Sequence, residues 1–166
     1  MIIVPLTVDD AVLRKTFLST TMHQALAELK ADAQPAWGRM SAQQMIEHLL
    51  WSVRGSTGSH VFAVVTPEHL LERAKRFLYH DRQTPHDFMN PLLAQGLPPM
   101  EHPDLAAAVG ALRAEVKRFL ELAESEPDAV RAHPIFGPLK MEEWERASFK
   151  HVHHHLVQFG VIGVQA

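Results

Sequence analysis

The chain has 166 residues, 46% of them hydrophobic, which is enough for one sizeable core and too little for two comfortable domains, so residues 1–166 read as a single domain. Sixteen Lys and Arg against 19 Asp and Glu leave a net charge of -3, which gives no electrostatic reason to expect a nucleic acid or an acidic membrane as partner. With no cysteine, disulfides, thiolate nucleophiles, iron–sulfur clusters and Cys-ligated zinc are excluded, and any transition metal has to be held by His, Asp or Glu.

The first ten residues carry no basic segment and no long apolar stretch, so they do not read as a signal peptide. No run elsewhere approaches the roughly 20 apolar residues of a membrane span. The expectation is a soluble cytoplasmic protein, with small molecules or other proteins left as its partners and a small-molecule substrate the choice that the site below favours.

Ala, Leu, Glu, Lys and Arg dominate the long segments, and no extended alternation of Val, Ile and Thr suggests a sheet. A first helix is expected over residues 19–32, with Met22, Leu26 and Leu29 on one stripe, and residues 9–18 add a short preceding turn. Pro35 and Gly38 end it. Ser41 then caps a second helix, Gln44 completes a capping box, Met45, Ile46, Leu49, Leu50 and Val53 form the apolar arc, and Gly55 closes the helix.

Residues 56–102 form a long connection, interrupted by Gly and Pro, with one clear helix over 67–79. A third long helix spans 103–124, where Leu105, Val109, Leu112, Val116 and Phe119 share a stripe. After a turn-rich stretch, a fourth runs from Lys140 to Phe159 and stops at Gly160. Four amphipathic helices with a long middle link predict an all-α fold, a four-helix bundle with a crossover between the second and third helices.

Twelve histidines are dispersed along the chain, and the densest group lies inside the fourth helix. At about 100° per residue, Trp144, Ser148, His151, Val152, His155 and Phe159 share one face. His153 then falls on the opposite, solvent side and His154 on the flank. Imidazoles at i and i+4 can coordinate one metal, the spacing used in the HExxH zinc motif. A third ligand has to come from another helix, and His48 is the candidate because it is the only histidine inside the second one. Its position at the edge of that apolar arc suits a pocket mouth and a half-exposed surface residue equally. A pair of core-edge histidines bonded only to neighbours is the alternative for His151 and His155. His23, His60, His69, His80, His86, His102 and His133 lack ligand spacing and read as surface or loop residues.

Other templates fail. Glu-x-x-His does not occur, since Ser148 precedes His151 by three and Met45 precedes His48 by three. HExxH, G-x-S-x-G and the phosphate-loop GK[ST] are also absent.

Trp37-Gly-Arg-Met40 before Ser41-Ala-Gln-Gln-Met-Ile-Glu-His48, and His133-Pro-Ile-Phe-Gly-Pro-Leu139 before Glu143, Trp144 and His151-Val-His-His-His-Leu-Val-Gln-Phe-Gly160, resemble a poorly characterised, domain-of-unknown-function branch of the DinB-like (YfiT-like) metalloenzyme superfamily. The resemblance runs from about Trp37 to Gly160, and the His-x-x-His-His-x-x-Gln pattern is its most specific part. It implies an up-down-down-up bundle with one histidine ligand on the second helix and two on the fourth, which map onto His48, His151 and His155. Relatives include metal-dependent thiol transferases and a maleylpyruvate isomerase that uses a low-molecular-weight thiol. Lys140 departs from the Ser- or Thr-like cap expected there.

Three neutral imidazoles around Zn²⁺ or Ni²⁺, with Mn²⁺ and Fe²⁺ as further options, leave coordination positions for water, a thiol or a substrate oxygen. His154 and Gln158 lie where they could orient such a ligand, although a packing role suits Gln158 equally. Trp144 and Phe159 read as core, and Glu47, pointing about 100° away from His48 on its helix, reads as a surface residue. Two classes follow: a metal-dependent hydrolase or low-molecular-weight-thiol transferase acting on a small molecule, and a non-enzymatic helical bundle whose histidines bind metal structurally or not at all. A homodimer is compatible with the apolar helix surfaces.

Overall fold

The structure is a computed structural model describing residues 1–165. Its first helical run begins earlier than the periodicity suggests, because the Asp10 side chain accepts from the Leu13 amide and caps α1 (Ala11–Thr16). A π-helical turn, Phe17–Thr21, carries the chain into α2 (Met22–Ala27). The turn presents fully buried Phe17 edge-on to Phe149 at a centroid distance of 5.2 Å.

The capping box of α3 (Ala42–Thr57) is present: the Gln44 amide donates to Ser41 Oγ at 3.1 Å and the Ser41 amide to Gln44 Oε1 at 2.9 Å. Gly55 does not close the helix. The left-handed residue is Gly58, at φ 79°, whereas Gly55 lies inside α3 where a Cβ would come within 2.7 Å of both Phe62 and Trp144. Its lack of a side chain serves close packing rather than termination.

The long connection holds a short α4 (Leu71–Lys75) between two 3₁₀ turns, Glu68–Leu70 and Arg76–Tyr79, in place of one continuous helix. Asp104 caps α5 (Leu105–Ser125), which agrees closely with the apolar stripe. α6 (Met141–Gln158) begins after Lys140, whose amide donates to Glu143 Oε1 at 3.2 Å, so the helix start does not need a Ser or Thr cap.

Strands account for the main correction. β1 (Ile2–Ile3) pairs in parallel with β4 (Ile162–Gly163), joining the two ends of the chain. β2 (Val130–His133) and β3 (Gly137–Lys140) form an antiparallel hairpin, with His133 opposite Gly137, in the stretch expected to be turns. With two small sheets among the described residues, the fold is mixed α/β and the expected all-α four-helix bundle with an up-down-down-up course is overturned. The strands are two to four residues long, too short for an alternating pattern to declare itself.

α3 packs against α5 and α6, and Phe17, Met45, Ile46, Leu49, Leu112, Phe119, Trp144 and Phe149 are among the largest fully buried side chains. The outer side of α6 is also covered. Arg14, 2% exposed, bonds to Glu145 at 2.8 Å and Glu142 at 3.1 Å, and Lys150 Nζ donates to the carbonyls of Phe77 and His80 at 2.8 and 2.7 Å. No helix among the described residues is long and apolar enough to cross a membrane.

Candidate metal centre

α3 and α6 together present three imidazoles to one point. His48 extends from α3, and His151 and His155 sit one turn apart on α6. Nε2 of His151 lies 2.9 Å from Nε2 of His48 and 3.2 Å from Nε2 of His155, and the three ligating nitrogens all fall within 4.8 Å of one another. His155 is buried, while His48 and His151 are half-buried.

The tautomer of His155 follows from its neighbours. Gln158 Nε2 donates to the Trp37 carbonyl at 2.7 Å, which turns Oε1 of the same amide toward Nδ1 of His155, also at 2.7 Å. Because Oε1 can only accept, Nδ1 of His155 carries the proton and Nε2 faces the other two rings as a bare lone pair. The helical spacing between His155 and Gln158 makes this contact local, and the Trp37 carbonyl, in the loop between α2 and α3, fixes the amide's sense.

All three rings are held neutral. Burial lowers the pKa of His48 to about 4 and that of His155 to about 3, and burial followed by the neighbouring His48 and His155 holds His151 well below the usual value. Nδ1 of His48 is buried without a hydrogen-bond partner, so nothing there favours the charged form.

Such a donor set fits a divalent cation. A ring nitrogen holds one proton or one lone pair, so Nε2 of His151 cannot form full hydrogen bonds to two neighbours at once. Three lone pairs on one cation resolve that conflict. Tetrahedral zinc at about 2.0–2.1 Å from each nitrogen separates its ligands by about 3.3 Å, so the observed 2.9 and 3.2 Å require adjustments of a few tenths of an ångström.

The remaining histidines divide differently from expectation. His153 was placed on the solvent side, yet it is 1% exposed and its Nε2 lies 2.9 Å from the Val4 carbonyl, because the N-terminal segment covers that side of α6. His154 is half-buried, with its ring 4.9 Å from His155 and 5.4 Å from Trp37. His133, expected on the surface, packs against Trp144 at 5.0 Å, and its Nδ1 accepts from the amides of Ile135 and Phe136. Burial takes it to about pKa 3, and it lies close enough to add to the lowering at His151. His86 stacks on Trp37 at 3.6 Å. The one local signal for His133 was its place between a strand-forming Val-Arg-Ala run and Pro134.

Glu47, expected at the surface, is half-buried, with its side chain 11% exposed. Its Oε1 accepts from the amides of Glu101 and His102 at 2.6 and 3.2 Å and bonds His102 Nδ1 at 2.9 Å. These bonds fix the end of the long connection against α3. Between them lies a cleft that reaches His48, walled by Trp51, Arg54 and the segment from Leu97 to Glu101.

A protein-family model described as "Protein of unknown function (DUF1569)" matches residues 7–161. No curated protein and no solved structure matches the chain, and nothing found ties it to the DinB-like superfamily.

Proposed function

As the chain belongs to the DUF1569 family, whose description assigns no reaction, we propose from the site itself that the protein is a metal-dependent enzyme acting on a small molecule. His48, His151 and His155 hold the ion, with Zn²⁺ or Ni²⁺ the best match to three neutral imidazoles. The observation that carries this reading is the convergence of three Nε2 atoms, one of them forced to be a bare lone pair by the Gln158 amide.

A bound ion of this kind polarises a carbonyl or lowers the pKa of a water or thiol. Three protein ligands leave room for that ligand, as in catalytic rather than closed structural zinc sites. The rest is the work of the chain. Gln158 orients His155, and His154, half-buried with its ring 4.9 Å from that of His155, is near enough to bond a substrate or water. Trp37 and Trp51 give the surroundings apolar walls. The ligand pattern is the one that the DinB-like resemblance implies, and hydrolysis and thiol transfer are the reaction types it supports.

The test is a substrate screen on metal-reconstituted protein, comparing ester and amide hydrolysis with addition of a low-molecular-weight thiol to electrophilic acceptors. Turnover that disappears with chelation and with His151→Ala, and returns with Zn²⁺ or Ni²⁺ in the wild type, supports the reading. Collapse of the fold on metal removal, with no turnover of the reconstituted protein in either assay class, contradicts it, because the ion then serves structure.

A further inference from the structure

The cleft beside His48 has a polarity of its own. At three-residue spacing, His48, Trp51 and Arg54 form one ridge along α3. Six residues at 1.5 Å rise separate His48 from Arg54 by about 9 Å along the axis. Opposite this ridge, Pro98 and Pro99 supply an apolar wall, and the wall is held in place because Glu47 binds the amides of Glu101 and His102.

Arg54 is the cation of this cleft, and its protein partners do not exhaust it. Nη1 donates to Glu101 Oε2 at 2.8 Å, and Nε and Nη2 make no hydrogen bond among the described residues. Its side chain lines the cleft and is 29% exposed, whereas that of Glu101, which lines it too, is 58% exposed. The other carboxylate here, on Glu47, is already occupied: Oε1 meets the amides of Glu101 and His102 and Nδ1 of His102, and Oε2 accepts from Gln43 Nε2 at 3.3 Å. A guanidinium with free forked donors, set beyond an indole face, matches a carboxylate on a flat apolar body.

The geometry points to Arg54 as the specificity-determining residue of the substrate cleft, selecting a small acid. Its carboxylate pairs with Arg54, its flat apolar body lies between Trp51 and Pro98–Pro99, and its reacting end meets the ion held at His48. This inference rests on the metal-dependent reading above. Glu101 acts as the internal competitor that the incoming carboxylate displaces from Arg54.

Calorimetric titration of Zn²⁺-loaded protein with three probes tests it: benzohydroxamate, 4-carbamoylbenzohydroxamate and 4-carboxybenzohydroxamate. In the wild type the carboxylate probe binds about tenfold more tightly than the carbamoyl probe, as expected for a hydrogen-bonded charge. Arg54→Gln brings that ratio below about twofold, and Glu101→Gln raises it. Equal affinities in the wild type, or a ratio that survives Arg54→Gln in folded protein, overturn the inference while leaving the metal site standing. If benzohydroxamate shows no metal-dependent binding, the metal reading itself fails and this inference falls with it.

Discussion

Gln158 Oε1 accepts from Nδ1 of His155 at 2.7 Å, one turn along α6, and so determines which nitrogen of that ring is free to bind. Supporting bonds of this kind are worth about 10–100-fold in metal affinity. Gln158→Leu is expected to weaken Zn²⁺ binding by that factor, read by competition with a chromogenic chelator. An affinity within twofold of wild type would show that the bond has no bearing on the metal.

The depressed pKa values of His48 and His155, about 4 and 3, make proton competition weak above pH 5. Metal affinity is therefore expected to change little between pH 7.5 and 6. Three histidines with the ordinary value of about 6.5 would lose about fiftyfold over the same interval. Chelator competition at the two pH values separates these outcomes.

His133 links the same chemistry to stability. Its folded pKa of about 3 lies below the unfolded value of about 6.5, so above pH 6.5 both states hold it neutral and its contribution is complete. As the pH falls from 6.5 toward 3, the unfolded chain takes up a proton that the folded chain refuses, and stability is lost. His133→Asn keeps an acceptor for the amides of Ile135 and Phe136 but cannot titrate. Urea unfolding of metal-free protein between pH 6.5 and 4.5 should then depend less on pH, by up to about 1.4 kcal/mol per unit. Identical slopes would contradict this.

His153 separates structural histidines from ligands. Replacing it with Ala leaves the buried Val4 carbonyl without its partner, and an expected loss of about 1–3 kcal/mol follows, with metal stoichiometry unchanged. Denaturant melts and metal analysis of the same sample check both halves.

Gly55→Ala is expected to destabilise the protein by about 1–3 kcal/mol, because the added methyl meets ring carbons of Phe62 and Trp144 at 2.7 Å. Urea denaturation measures it; an unchanged midpoint would mean that the rings move aside freely.

What could be read in advance was local. The Ser41–Gln44 capping box, the stripe of α5 and the i, i+4 spacing of His151 and His155 are short-range patterns, and each appears where periodicity places it. The placement of His153 failed because a helical wheel assumes one solvent face. The N-terminal segment reaches α6 from 149 residues away, and nothing in its sequence reveals that destination. The β1–β4 pair is equally silent at two residues per strand. Gly55 looked like a stop signal for the same reason, since only Trp144 and Phe62, both distant in sequence or beyond the helix, explain it. His48 was ambiguous on its own helix and becomes a ligand candidate only when α6 is laid beside it.

Metal content decides whether His48, His151 and His155 hold an ion. Protein purified without chelator and reconstituted with Zn²⁺ or Ni²⁺ is analysed by mass spectrometry beside a His151→Ala/His155→Ala variant. About one ion per chain in the wild type, lost from a variant that remains folded, is expected for a single three-ligand site. The same metal content in both proteins, whether negligible or stoichiometric, would contradict it.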